Sequence, residues 1–340
     1  MTTRTDTKSR HWRILRNALQ QSTSTDTSIS SNGSETTASS IATEFFPLYH
    51  GIQADTVMDS PPQENRVWMA YDLPCEGKKT TGKTATRVYV HEKRKEMKRM
   101  SIAELLSHQV NQGVDNTGNI RTWPSEQVLL SYLLASNVCS QVQQRDTSGD
   151  LLPITCCELG SGMAGLASLG LLACAPVKLQ HVLVTDGNPL SVKNVQLCIE
   201  ENKMQHAMSP DAQSVKISTR LLRWDRSASF QEDLLHQFDL VFASDCLFFE
   251  EFHEDLAYTI KNLLRDGSGR CLLLQPSRNG SMERFCVIAK RQGFSIDESR
   301  DYDPMIVCKH AEYQQTRPDY VPDVHFPVLL ILSYSSLNSS

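Results

Sequence analysis

Three glycines follow a short apolar run in the middle of the chain, in the order Gly160, Gly162 and Gly165. Residues 154–159 are apolar enough for a buried strand, and residues 163–173 have the apolar spacing of a helix, so the glycines fall on a strand-to-helix turn. Gly160 permits the tight turn, and Gly162 lets the backbone approach a ligand with no Cβ in the way. The pattern predicts a cofactor-binding turn. On its own it also fits a nicotinamide or flavin site, or a plain β–α turn.

Polar residues at the ends of the first two strands favour S-adenosylmethionine as the cofactor. Glu158 lies at the tip of the first strand, where a carboxylate organises the loop and meets the ammonium group of this cofactor, which has no pyrophosphate to repel an acid. Asp186 ends the second strand and is placed to accept hydrogen bonds from both ribose hydroxyls, as in NAD enzymes. A cap of the following helix is the alternative for Asp186. We assign Glu158, Gly160, Gly162, Asp186 and Asn188 to cofactor binding.

Two tryptophans lie where an aromatic ring would reach the same cofactor. Trp224 follows the third strand, where its indole would stack on adenine with Asp225 near the exocyclic amine; a core tryptophan is the alternative. Trp123 precedes the first strand and is followed by Pro124 and by Ser125, which we expect to cap a helix. The Trp123 ring would close over a sulfonium by cation–π attraction, although a structural role explains it nearly as well.

An acid and two aromatic residues follow the fourth strand. Asp245 comes two residues after the end of the apolar run 240–243, and Phe248 and Phe249 follow it at a distance of three and four residues. Ligands of open α/β sheets bind at the carboxyl ends of the strands, so these residues are candidates for a substrate pocket. A solvated cap followed by a helix-packing phenylalanine is the alternative.

Strands alternate with helices from residue 101 onward, which predicts an α/β fold: a Rossmann-like, doubly wound sheet of seven strands with helices on both faces. Helices are predicted at residues 125–135, 163–173, 190–202, 251–264 and 281–292. The seven predicted strands are residues 154–159, 182–185, 215–222, 240–243, 271–274, 294–296 and 328–332.

The first hundred residues form an N-terminal extension of different composition. Residues 1–20 include an apolar stripe at helical spacing, and residues 21–43 are a Ser/Thr-rich linker with almost nothing to bury. Residues 44–100 are irregular, with strand-like pieces at 66–71 and 86–91, and the main domain spans 101–337. Nine Lys or Arg residues face two acids between Lys78 and Arg99, a local surplus of +7 in a chain of net charge −5.

Together these motifs resemble the calmodulin-lysine N-methyltransferases, a branch of the seven-β-strand protein lysine methyltransferases. The resemblance covers residues 101–333 and extends to the first helix, WRILRNALQQ. It rests on DNTGNIRTWPSEQVL, CELGSGMAGLASL, LVTDGN, LLRWD, FDLVFASDCLFF and HFPVLLIL, in family order. It implies S-adenosylmethionine as the cofactor and a lysine of calmodulin as the substrate. The family's cofactor contacts fall on Trp123, Gly160, Gly162, Asp186, Trp224 and Ala243.

The resemblance also implies an amine-binding site around Asp245. The wider group has Asp-x-x-Tyr after the fourth strand, whereas this chain has Asp245 and Phe248, as in the calmodulin branch. A free lysine amine has a pKa of about 10.4 and must lose a proton before it attacks. We therefore assign Asp245 to orienting the amine and Phe248, with Phe249, to apolar walls that favour its neutral form.

Three other classes of function remain open: an NAD-dependent oxidoreductase, a methyltransferase of nucleic acid or of another protein, and an inactive scaffold. An oxidoreductase would share Asp186, but no Ser…Tyr-x-x-x-Lys or His/Arg hydride-transfer set is present. The basic segment suits nucleic acid, but the Asp/Asn-Pro-Pro-aromatic signature of amino-purine enzymes is missing after the fourth strand. Intact Glu158, Asp186 and Asp245 argue against a scaffold.

Composition also bears on the cellular compartment in which we expect the protein. The start of the chain lacks an apolar signal segment, and no apolar run is long enough to span a membrane. The ten cysteines are scattered without metal-ligand spacing, so we predict reduced, mostly buried thiols and no metal. We expect a monomer in the cytoplasm, and also in the nucleus, whose partner is a protein substrate.

Overall fold

The computed structural model describes residues 45–55, 66–74, 85–93, 122–174, 176–205 and 215–334. The predicted first helix and the linker lie outside these ranges, as do most residues of the basic segment. The strands of the described residues are β1 (Gly51–Gln53), β2 (Arg66–Pro74), β3 (Ala85–Lys93), β4 (Ile154–Glu158), β5 (Leu179–Asp186), β6 (Lys216–Leu221), β7 (Leu240–Ser244), β8 (Arg270–Gln275), β9 (Ser295–Ser299) and β10 (Val328–Ser333). The helices are α1 (Pro124–Ala135), α2 (Val138–Gln141), α3 (Leu166–Cys174), α4 (Pro189–Met204), α5 (His253–Leu263), α6 (Ser281–Arg291), α7 (Pro304–Thr316) and α8 (Pro322–His325).

Seven strands form one sheet in the order β6-β5-β4-β7-β8-β10-β9. The strands from β6 to β8 run parallel, and β10 lies antiparallel between β8 and β9. All seven predicted strands are present, and helices flank the sheet, so the predicted fold class is confirmed. The central strands are apolar throughout because both faces are covered: Leu240, Val241, Phe242 and Ala243 of β7 are fully buried.

A second, antiparallel sheet of β1, β2 and β3 precedes the main domain in the chain. Its outer edge docks on α4 through asparagine side chains. Asn202 Oδ1 accepts from the Tyr89 amide at 2.9 Å, and Asn202 Nδ2 donates to the Tyr89 carbonyl at 2.6 Å. Asn194 makes similar contacts with His91, and its Nδ2 also donates to the Met163 carbonyl at 2.6 Å. The extension is thus fastened directly to the loop that carries the three glycines.

Two details of the helices differ from prediction. Helix α1 begins at Pro124, with Trp123 in the N-cap position and no side-chain cap, so the predicted cap by Ser125 is wrong. Helix α7 was not predicted, because Ile306 is its one buried residue and the helix shows no apolar stripe. Its start was nonetheless marked in the sequence: Asp303 accepts hydrogen bonds from two amides of the first turn, and Pro304 follows.

Eight cysteines of the described residues are free thiols, five of them buried, as predicted. Cys174 is the exception, since it is disulfide-bonded. Among the helices that the structure describes, none has the length and apolarity to cross a bilayer.

Candidate functional site

The carboxyl ends of β4 and β5 meet at the glycine turn. Gly160, Gly162 and Gly165 all have positive φ angles, between 58° and 62°, the backbone conformation that favours glycine. Asp186 bridges this turn to the next strand: its Oδ2 accepts from the Gly162 amide at 2.9 Å, and its Oδ1 accepts from the Asn188 amide at 2.7 Å. The predicted cofactor residues of these two strands therefore lie in direct contact.

Asn188 also has a structural role. Its side-chain oxygen accepts from the Leu190 amide at 2.9 Å and caps the start of α4. Ala243 is fully buried in the middle of the sheet. Cofactor binding by both residues stays a prediction.

The end of β6 reaches the same turn through Trp224. A Cβ built at Gly160 would lie 3.0 Å from Cys246 Sγ and 3.4 Å from the Trp224 ring, so glycine is required for this close approach. The half-buried indole therefore lies against the glycine turn, where it was predicted to be. Asp225 instead faces solvent, where its carboxylate accepts from the amide and hydroxyl of Ser227, so the structure does not bring it to the site.

Two buried carboxylates hold the start of α3, directly after the glycine turn. Glu126 accepts from the Leu166 amide at 2.5 Å and from the Ala167 amide at 3.3 Å, and Glu158 accepts from the Ser168 amide at 3.2 Å. These amides have no partner inside the helix, and an acid at a helix N-terminus is favourable. Burial raises the pKa of Glu158 to about 7, and burial together with the nearby Glu158 raises the pKa of Glu126.

Glu158 thus organises the loop as predicted, and its contact with a cofactor ammonium stays a prediction. Trp123 is the N-cap residue of α1, three residues before Glu126, and its contact with a cofactor stays a prediction. The capping of α3 by Glu126 was missed in the sequence analysis. The signal available was an acid facing an apolar helix side, at a position where burial needs a partner.

The second cluster lies after β7 and combines Asp245, Phe248 and Arg278. The Arg278 guanidinium donates through Nη2 to both carboxylate oxygens of Asp245, at 2.6 and 2.5 Å, and its Cζ lies 5.3 Å from the centre of the Phe248 ring. Phe249 packs edge-on against Phe248 at 4.8 Å, and Phe252 packs against Phe249 at 6.2 Å. The structure brings Asp245 and Phe248 together as predicted and adds Arg278 and Phe252.

The loop that carries Phe248 is held by hydrogen bonds from the first residues of α5 and α6. The Leu247 carbonyl accepts from His253 Nε2 at 3.1 Å and also from the Ser281 hydroxyl, both of which are buried. Asp245 itself has a φ of 55° and donates its amide to the Leu274 carbonyl at 3.0 Å. The acid and the aromatic residues are therefore presented by a fixed turn at the edge of the sheet. No group of three or more His, Cys, Asp or Glu residues in the described part of the chain is arranged to hold a metal ion.

Comparisons with known proteins identify the family of this chain. The family model for lysine methyltransferases matches residues 104–292, just over half of the chain. A calmodulin-lysine N-methyltransferase of Arabidopsis thaliana is 29% identical over 326 residues, and the alignment covers 94% of each protein.

Solved structures of other methyltransferases align more weakly. The ribosomal protein L11 methylase of Lactobacillus delbrueckii subsp. bulgaricus is 14% identical, with 65% of this chain and 83% of that one covered and a TM-score of 0.36. P. horikoshii TYW2, solved in complex with MeSAdo, is 13% identical, with 73% and 89% covered and a TM-score of 0.39. These scores are too low to add to the assignment. The family match confirms the resemblance seen in the sequence motifs: the chain belongs to the lysine methyltransferase family.

Proposed function

We propose that this chain transfers methyl groups from S-adenosylmethionine to the side-chain amine of a lysine in calmodulin. The observation that carries the proposal is that the two predicted subsites lie side by side, at the carboxyl ends of neighbouring parallel strands. The glycine turn and Asp186 lie at the ends of β4 and β5, and Asp245 with its aromatic neighbours lies at the end of β7.

The residues at the first subsite fit S-adenosylmethionine. Asp186, held by two backbone amides, is placed for ribose hydroxyls, and Trp224 lies against the glycine turn as a stacking surface for adenine. Glu158 lies beneath the same turn as a counter-charge for the amino-acid ammonium. When bound, the cofactor supplies an electrophilic methyl group on a sulfonium.

The residues at the second subsite suit an amine. Asp245 would orient the nitrogen and accept its proton directly or through water, and Phe248 and Phe249 would exclude water from the side chain. Removing water favours the neutral form of a lysine. Most of the acceleration would come from alignment of the nucleophile with the methyl group, since orientation lowers the barrier of a two-reactant step by several kcal/mol.

Two observations support calmodulin as the protein that carries the lysine. The Arabidopsis relative named for that substrate aligns over nearly the whole chain. The basic segment between Lys78 and Arg99 would also attract an acidic partner. A different acidic protein would satisfy the second observation but not the first.

Radiomethyl transfer with recombinant protein and calcium-free calmodulin tests the proposal, followed by mass spectrometry of the product. We expect label on one lysine and none without S-adenosylmethionine. Calorimetry with S-adenosylmethionine and with NAD separates a methyltransferase from an oxidoreductase. Label on another protein or on RNA, with calmodulin unlabelled, would refute calmodulin as the substrate.

A further inference from the structure

Arg278 occupies a place beside Asp245 that the sequence motifs do not mark. Its Nη2 lies between the two carboxylate oxygens of Asp245, and its guanidinium carbon lies over Phe248. Both charged side chains are mostly shielded from water, with 20% of the arginine and 15% of the aspartate exposed. A shielded pair of this kind is held more firmly than a surface ion pair.

The backbone is shaped to bring the arginine there. Arg278 has a φ of 51° and Asn279 a φ of 57°, and Asp245 has a φ of 55° on the other side of the pair. Helix α8 holds this conformation: the Arg278 amide donates to the Asp323 carbonyl and the Asn279 amide to the Asp323 carboxylate, both at 2.7 Å. Left-handed conformations at residues other than glycine persist only where the surroundings enforce them, and they cluster at functional sites.

The chemistry of methyl transfer to an amine suggests a role for this pair. An isolated carboxylate beside a lysine stabilises the ammonium form, which cannot attack a methyl group. A guanidinium bound to the same carboxylate balances its charge and disfavours a second cation nearby. The carboxylate still offers an acceptor for the amine hydrogen, because each of its oxygens accepts more than one hydrogen bond.

We propose that Arg278 is a positioning residue that fixes the Asp245 carboxylate and neutralises its charge, so that the substrate lysine is not held as an ammonium. The inference rests on the proposed function, because it concerns the amine site of that reaction. Arg278 acts through Asp245 and need not touch the substrate. With Arg278 in place, the Asp245 carboxylate no longer opposes deprotonation of the lysine ammonium.

The pKa of one ring near Arg278, that of His325, is shifted. Burial, and next the charge of Arg278 itself, lowers the pKa of His325 to about 4, so this ring is neutral in assays near neutral pH. Glu283 accepts from the Ser277 hydroxyl and Arg284 pairs with Glu250 at 2.9 Å. Among the described residues, Arg278 pairs with Asp245 after β7, donates its amide to the Asp323 carbonyl on α8 and acts electrostatically on His325 of the same helix. Glu283 and Arg284 lie on α6, which begins three residues after Arg278.

The pH dependence of methyl transfer in the full chain tests the inference. Arg278→Gln removes the cation and Arg278→Lys keeps it, and both are compared with wild type by kcat/KM for calmodulin at saturating S-adenosylmethionine. We expect Arg278→Gln to move the rising limb of the pH profile upward by about one unit, which makes the enzyme about tenfold slower at neutral pH. Arg278→Lys restores most of the activity at the wild-type pH.

Arg265→Gln is the matched control. Arg265 pairs with Asp239 at 2.6 Å, just before β7 begins, so this pair lies at the opposite end of the strand that carries Asp245. Its loss should lower the melting temperature and leave the pH profile in place. An Arg278→Gln enzyme with an unshifted profile would overturn the proposal. A faster Arg278→Gln enzyme with a lower KM would also overturn it, because the arginine would then block the amine site in the wild type.

A double-mutant cycle separates this inference from the proposed substrate. Thermal unfolding of Asp245→Asn, Arg278→Gln and the double variant needs no substrate, and we expect the losses in melting temperature to be clearly non-additive. Additive losses would overturn the pairing even in an active enzyme. A wild-type enzyme that leaves calmodulin unlabelled, together with strong coupling in the cycle, would refute the substrate and support the pair.

Discussion

The three carboxylates predicted to bind the cofactor or the amine also accept hydrogen bonds that hold the protein's own structure. Asp186 holds the amide of Gly162, Glu158 holds the amide of Ser168, and Asp245 is bound by Arg278. An alanine at any of these positions would remove the proposed ligand contact and would also leave a hydrogen-bond partner of the carboxylate unpaired. Replacement by the amide of the same shape is therefore the sharper test, since it keeps an acceptor oxygen and removes the charge.

We expect Asp186→Asn to weaken S-adenosylmethionine binding at least tenfold with little change in stability. The amide keeps an acceptor for the Gly162 amide, but it loses the charge that strengthens hydrogen bonds to ribose, each worth about 1.5–3 kcal/mol. Calorimetry measures the affinity. Asp225→Asn is the control, because that exposed carboxylate accepts from Ser227 in its own turn and is not brought to the glycine turn. Equal affinity in wild type and Asp186→Asn would show that the ribose site is wrongly placed.

Asp245→Asn should lose turnover by about a hundredfold and keep its affinity for S-adenosylmethionine, because misorientation of one reactant alone has effects of that size. Single-turnover radiomethyl transfer beside a cofactor titration separates the two quantities. Asp239→Asn is the control: Asp239 is a buried partner of Arg265 at the opposite end of the strand. A fully active Asp245→Asn enzyme would remove Asp245 from the amine site.

At the scale of elements, the start of α3 joins the sheet to α1. Its first amides are capped by Glu126 from α1 and by Glu158 from β4, and not by residues of its own turn. Both acids are buried, which raises the pKa of each; the charge of Glu158 raises the pKa of Glu126 further, and the charge of Asp186 adds to the rise at Glu158. The glycine turn is consequently held at its helical end by groups whose charge state depends on pH.

Glu158→Gln should flatten the dependence of stability on pH. Burial raises the pKa of Glu158 from 4.5 to about 7 in the folded state. Below that window both states carry the proton; within it, the unfolded chain releases the proton while the folded chain keeps it, so wild-type stability falls as pH rises towards 7 and then levels off. The variant escapes this loss and should be more stable at neutral pH, on the order of 2 kcal/mol.

Denaturant unfolding at several pH values measures this effect. Glu200→Gln is the control, because Glu200 is exposed on α4, where its carboxylate accepts from the Gln196 side chain four residues earlier. A Glu158→Gln protein that is less stable than wild type at pH 7 would mean that the ionised carboxylate holds the Ser168 amide better than an amide does.

The elements were predictable where burial dictates the sequence pattern. Strands β7, β8 and β10 are apolar on both faces, and a continuous apolar run of four to six residues between two helical patterns predicts a buried strand. Helix α7 was missed because it lies on the surface, where only Ile306 carries a packing signal. Arg278 was missed for a different reason: its partner Asp245 is 33 residues away, and no local pattern encodes that pairing.

At the scale of the whole molecule, charge is unevenly divided. The net charge is −5, yet residues 78–99 carry a surplus of +7, which leaves about −12 for the rest of the chain. Within the described part of that segment, Arg87 is paired with Asp72 across β2 and β3, and the acid Glu92 is buried, where it accepts from Tyr71 at 2.7 Å. The acid therefore does little to offset the bases at the surface.

This imbalance leads to a prediction about the encounter with substrate. Replacing Lys93, Arg94, Lys95 and Lys98 with Glu should raise the KM for calmodulin about tenfold at low salt, because steering of an acidic partner raises the rate of encounter by that order or more. Turnover and cofactor affinity should stay near wild type, since the changes lie in the extension. Lys93 ends β3, and the other three lie outside the described residues.

A matched variant makes the test specific to position. Lys178, Lys203, Lys216 and Lys290 are exposed lysines near the amino ends of β5 and β6 and the carboxyl ends of α4 and α6, so their replacement by Glu gives the same charge change away from the site. Rising salt should raise the KM of the wild type for calmodulin and bring it closer to the KM of the first variant. The reason is that salt screens charges beyond about 10 Å at 0.1 M. Equal KM values for the two variants would assign the effect to net charge alone. If the KM of the wild type does not change with salt concentration, the basic segment has no part in recognising calmodulin.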